Sequence, residues 1–134
     1  MTKYKTRLMY SNYEHYKACY DAWFSEGSLE RAKDKLAREG VLNSYGRPYS
    51  LDGVRKSAVR YMVANPVESM KMLLESYRKQ GYIVEKENIE RYMIKLAVSV
   101  LCTEEAVVEW LKETGLYGKH IKFIDSLIAI SYDD

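Results

Sequence analysis

Apolar residues recur every three or four positions along most of this chain, and residues that start and stop helices punctuate the pattern. Ser11, with Glu14 three positions on, forms a capping box that opens a first helix, and Gly27 closes it. On that helix Tyr13, Tyr16 and Tyr20 share one stripe, with Trp23 and Phe24 beside it. Burying such rings is a main source of stability in a small domain, so the stripe is expected to be core. Ser28 opens a second helix, SLERAKDKLAREG, whose narrow apolar stripe is Leu29, Ala32, Leu36 and Ala37 and which ends at Gly40. Ser50 opens a third, and Asn65-Pro66 ends it because proline cannot continue the backbone bonding. Asn65 is then expected to cap a fourth helix, with Pro66 at its first position, Glu68 completing the box and Gly81 stopping it. Its predicted buried face is Val67, Met70, Leu73, Leu74 and Tyr77.

The short apolar piece Tyr82-Ile83-Val84 reads as one strand or an extended connector. A fifth helix is predicted from about Glu87 to Leu101, with Ile89, Tyr92, Met93, Leu96, Ala97, Val100 and Leu101 in register. Its end is apolar nearly all round, which predicts the central buried helix. Thr103 caps a sixth helix that ends at Gly115, and a last one carries Ile121, Ile124, Leu127 and Ile128. Strand signals are nearly absent. The pattern therefore predicts an all-α fold, a compact bundle of about seven short helices containing a helix-turn-helix-like unit.

Charge divides this pattern. Residues 1–81 hold 15 Lys and Arg against 9 Asp and Glu, whereas residues 82–134 hold 6 against 10. The expected organisation is a basic helix-turn-helix-like region over 1–81 and an acidic packing or oligomerisation region over 82–134, together one compact domain. A basic front suits an anionic partner, although chance and solubility also produce such a balance. Apolar runs such as LAV, VLC and LIAI are far short of a membrane span, and MTKYKTRLMY lacks the apolar segment of a signal peptide, so a cytoplasmic location is expected. Cys19 and Cys102 fall in different predicted helices and read as reduced core thiols.

The third helix carries the candidate site. At 100° per residue, Leu51, Val54, Ala58, Tyr61 and Met62 gather on one side, widened by Val59 and Val63. The opposite side carries Gly53, Lys56, Ser57 and Arg60, with Arg55 and Asp52 at its margin. Glycine inside a helix costs about 1 kcal/mol relative to alanine. Close approach of another backbone, such as a phosphate strand, is one use for that cost; a position near the helix start, where the cost is small, is the other reading.

The segment leading into this helix, LNSYGRPYSLDGVR, resembles the turn and start of the recognition helix in helix-turn-helix domains of phage proteins and large serine recombinases. There a segment of the type L-N-x-x-G-x-P-[YWF]-[ST]-x-x-x-V precedes the reading helix. Leu42, Asn43, Gly46, Pro48, Tyr49, Ser50 and Val54 occupy those positions, and the resemblance extends over roughly Ser28 to Met62. It implies that the Ser50 helix enters a major groove of double-stranded DNA with its first turns toward base edges. Lys56, Ser57 and Arg60 are then the expected base or phosphate contacts, with Arg55 and Gly53 beside them. Arg47 and Tyr49 would touch the DNA backbone from the turn, Arg31, Lys35 and Arg38 would add phosphate contacts, and Lys3, Lys5 and Arg7 would form a basic arm. The recombinase catalytic domain has no counterpart here, so that activity is not implied.

Two cysteines and two histidines could in principle hold zinc, but His15, Cys19, Cys102 and His120 match no zinc spacing. No phosphate-binding glycine loop, HExxH or GxSxG occurs. The sequence therefore predicts no enzyme, metal or cofactor. It predicts a small DNA-binding regulator or DNA-transaction accessory, phage or mobile-element encoded, dimeric through its C-terminal helices. The competing expectation is a protein–protein module such as a virus-encoded inhibitor, whose basic front meets an acidic protein surface. A third is RNA binding through Tyr45, Tyr49 and the arginines.

Overall fold

Three hydroxyl caps begin helices where the sequence places them. Ser28 Oγ accepts the Arg31 N–H, Ser50 Oγ the Gly53 N–H and Thr103 Oγ1 the Ala106 N–H, at 3.0–3.2 Å. The computed structural model describes residues 13–101 and 103–132, and among these it is all-α. In chain order the helices are α1 (Tyr13–Glu26), α2 (Leu29–Arg38), α3 (Leu51–Ala64), α4 (Pro66–Lys79), α5 (Lys86–Val100), α6 (Glu104–Thr114) and α7 (Ile121–Tyr132). Ser11, the basic arm Lys3, Lys5 and Arg7, and Cys102 lie outside the described residues. Tyr82-Ile83-Val84 is a connector, with Ile83 fully exposed.

Two helices share the centre. α3 packs on α1, α2, α4 and α5, while α5 packs on α3, α4, α6 and α7. The central position expected for the fifth helix is thus shared with the third, whose buried residues run unbroken from Tyr61 to Ala64. One buried cluster extends from Cys19 to Ile124 and draws on both sides of the charge boundary at Gly81. Of the aromatic stripe of α1, expected to be core, only Tyr20 belongs to it; Tyr13, Tyr16, Trp23 and Phe24 are half-buried against it. Tyr20 lies 4.4 Å from Tyr61 and 4.8 Å from Phe24 between ring centroids, within the range of favourable ring packing.

Four local expectations change in the structure. Asn65 takes the N-cap position of α4 but its side chain makes no cap bond: its amide donates instead to the Tyr13 hydroxyl and the Tyr61 carbonyl, and Glu68 accepts from the Tyr61 hydroxyl. The would-be capping box is spent on tying α1 and α3 to the start of α4. Val67 and Leu51, assigned to apolar faces, are exposed because each sits in a first turn at the rim of its contact. Ala37, the last residue of the α2 stripe, is also exposed; Ala32 and Leu36 carry that contact.

α3 and α6 are joined by one buried bond. The indole N–H of Trp110, whose side chain is wholly buried, donates to the Val63 carbonyl at 2.8 Å. Val63 belongs to the last turn of α3, where carbonyls lose their helical donors. Trp110→Phe removes the donor and leaves that carbonyl buried and unpaired. The expected loss is about 1–3 kcal/mol of stability, read from the denaturant midpoint by far-UV circular dichroism.

A second buried polar contact docks α7. Glu90 is 4% exposed and His120 7% exposed; Glu90 Oε1 is 3.1 Å from His120 Nε2, and Lys119 Nζ reaches Oε2 at 3.4 Å. Burial pushes the Glu90 pKa upward, but the His120 hydrogen bond and the Lys119 charge outweigh it and hold the carboxyl below its ordinary value. A carboxylate depressed in this way contributes stability above its unfolded pKa of about 4.3, lost as pH falls through the folded value. Glu90→Gln is therefore expected to cost about 1.5–3 kcal/mol at pH 7. Urea titrations repeated down to pH 3 should show the difference from wild type shrinking below about pH 4.3.

Candidate nucleic-acid interface

The connector between α2 and α3 is a built turn. Asn43 Oδ1 accepts the backbone N–H groups of Tyr45 and Arg47 at 2.9 and 3.1 Å. The Asn43 N–H donates to the Arg47 carbonyl at 2.8 Å, and the Gly46 N–H to the Asn43 carbonyl at 2.9 Å. Gly46 has φ +76°, a conformation that favours glycine. Asparagine side chains nucleate such turns by bonding their own backbone two residues on. The turn leaves Tyr45 86% exposed at its tip and delivers the chain to the buried Tyr49 and the Ser50 cap.

The polar front expected on α3 divides in two. Asp52, Arg55 and Lys56 are exposed on the first two turns. Lys56 Nζ pairs with Asp52 Oδ2 at 2.9 Å, an exposed pair of the kind that contributes little to stability. Gly53, Ser57 and Arg60 turn instead toward α1 and the connector, where they line a pocket of about 340 Å³ with His15, Tyr16, Asn43 and Tyr45. The Arg60 guanidinium lies 5.9 Å from the Tyr16 ring centroid, within cation–π range.

Gly53 has a local reason as well. A Cβ there would stand 3.1 Å from Ser50 Oγ and 3.7 Å from the Tyr49 ring, so a side chain would crowd the cap that starts α3.

Behind the pocket lies a polar thread into the core. Tyr49 is buried and its hydroxyl is 2.9 Å from His15 Nδ1, across 34 positions of sequence. Burial and the neighbouring Cys19 raise the Tyr49 pKa, so it remains a neutral phenol. The hydroxyls of Tyr49 and Ser57 meet the Cys19 thiol; burial dominates there and pushes the thiol up to about 11. Tyr49, expected at a DNA backbone, is thus placed in the core and bonded to His15.

On α2, Arg31, Lys35 and Arg38 lie at the surface. Lys35 reaches Ser25 at 3.2 Å, and Arg38 stands 4.0 Å from Glu26. Arg47 is exposed on the connector, and Arg55 shares a shallow depression with Trp23 and the start of α2. In the sequence His15, Tyr16 and Asn43 figured only as a rejected zinc ligand, a core ring and a motif position; packing of α1 and the connector against α3 is what groups them at one site. No known protein family, curated protein or solved structure matches this chain.

A thiol held near 11 is almost wholly protonated at neutral pH and shielded from reagents. Native protein treated with iodoacetamide at pH 7.5 should leave Cys19 unmodified in peptide mass maps, whereas protein in guanidinium should be labelled there.

Proposed function

We infer that this chain is a small DNA-binding protein acting as a transcriptional regulator or an accessory in a DNA transaction. The observation that carries this reading is the exposed cationic side of the N-terminal part of α3. Arg55 and Lys56 are exposed on its first two turns, with Arg47 on the adjoining connector and Arg31 on the helix packed beside it. Early turns of a helix set beside a second helix have the arrangement that places side chains at base edges. Arg31, Lys35, Arg38 and Arg47 supply phosphate contacts in this reading, while Arg55 and Lys56 face the groove. Asp52, acidic and exposed, suits a cytosine amino group better than a phosphate. Arg60 and Ser57, turned into the pocket, drop out of the groove-facing set.

A protein partner is the second reading, and exposed apolar side chains away from the start of α3 favour it. α7 packs mainly on α5, and its Ile121 and Ile130 are exposed, as is Ile83 on the connector before α5. In this reading α7 meets a second copy of the chain or another protein.

Mobility shifts on a duplex of 20–30 base pairs test the first reading. With about three to five phosphate contacts, log affinity should fall against log salt with a slope of about −2.7 to −4.5. The Arg55→Ala/Lys56→Ala double variant should weaken binding about tenfold or more, and Lys112→Ala on α6 should not. Salt-insensitive binding, or a double variant equal to wild type, sinks the assignment.

A further inference from the structure

The pocket between α1, the connector and α3 has a composition that major-groove docking does not use. We propose that it binds a single nucleotide unit, its phosphate held by Arg60 and His15 and its base set against the rings of Tyr16 and Tyr45. This goes beyond the duplex-binding reading and stands without it.

Four observations converge. First, the cation is already placed: Arg60 is half-buried and held over Tyr16, so little side-chain freedom remains to be lost when an anion arrives. Second, His15 is fixed by its Nδ1 contact with Tyr49, which leaves Nε2 as its remaining hydrogen-bonding atom. Third, the pocket is lined by tyrosines from two separate elements, Tyr16 on α1 and the exposed Tyr45 on the connector. Aromatic faces of this kind accept any base by stacking. Fourth, the walls carry polar groups suited to a base or sugar edge. Asn43 spends Oδ1 on its own turn, and its Nδ2 has no partner among the described residues. At about 340 Å³ the pocket lies at the small end of ligand sites, enough for one nucleotide and too little for two.

This arrangement also separates the two kinds of anion contact on α3. Lys56 on the outer face is paired with Asp52 at 2.9 Å, whereas no carboxylate among the described residues lines the pocket around Arg60. The ligand chemistry is a phosphate joined to a stacking base, carried either as a free nucleotide or at the end of a strand.

The test is a proton NMR titration of the full chain with AMP, dTMP, adenosine and inorganic phosphate. The chain has two histidines. The His15 ring signals should shift saturably with either nucleotide, while those of His120, bonded to Glu90 and outside the pocket, stay in place. Inorganic phosphate and adenosine should each bind at least tenfold more weakly than AMP. Arg60→Ala should weaken AMP at least tenfold. Tyr45→Ala, at a position too exposed to affect folding, should weaken AMP severalfold and leave phosphate binding unchanged, and Lys112→Ala should match wild type. A 5′-phosphorylated hexanucleotide that displaces AMP identifies a strand end as the source, and one that does not identifies the free nucleotide. Absence of saturable shifts at His15, or phosphate binding as tightly as AMP, overturns the proposal. Because no duplex is used, these results stand apart from the mobility shifts.

Discussion

The bond from the Trp110 indole to the Val63 carbonyl ties the two halves of this chain together at the end of α3. Proline at position 66 cannot donate to the last turn of α3, so the Met62 carbonyl takes the Asn65 N–H at 3.2 Å and the Val63 carbonyl is left to a side chain. α3 can end abruptly inside the core only because a tryptophan 47 positions later supplies a donor there. That abrupt end lets α4 turn away at once, and it brings Tyr61, Asn65 and Glu68 within reach of one another and of Tyr13. The acidic C-terminal half is therefore tied into the basic half through the end of the helix that carries the candidate site at its start.

The same packing explains why the polar front of α3 is not one surface. α1 lies along α3, and the rings of Tyr20 on α1 and Tyr61 on α3 set the spacing between the two helices. At that spacing Tyr16 lies alongside Arg60, and His15 meets Tyr49. The outer part of the front remains in water with its charges loosely paired. The inner part becomes the wall of a pocket whose polar groups are held from behind by Tyr49 and Cys19. Two different electrostatic environments thus stand within two turns of one helix, and only the inner one is pre-arranged.

Features with a local cause were legible in the sequence. Ser28, Ser50 and Thr103 cap because a hydroxyl and the backbone N–H three residues on need nothing from elsewhere. Gly115 adopts φ +75° at the end of α6 for an equally local reason. The all-α class followed from periodicity alone. What escaped depends on partners remote in sequence. Asn65 looked like a cap and was claimed by Tyr13. Glu90, in the charged first half of α5, is buried because His120 and Lys119 arrive from thirty positions away. The helical projection grouped Gly53, Ser57 and Arg60 correctly, but no projection of one helix shows what lies across from it. Arg55 and Lys56 were legible as exposed cations, whereas Tyr49 was mistaken for a surface ring because its place was judged from the turn before it.

The turn built on Asn43 carries one more consequence. All its hydrogen bonds close within five residues, from Asn43 to Arg47, and the tip residue Tyr45 touches little of the core. Substitutions at that tip can accumulate at almost no thermodynamic expense, while the frame that presents them stays constant. Position 45 is thus a place where this fold is free to diversify, with each new side chain presented without refashioning the scaffold beneath.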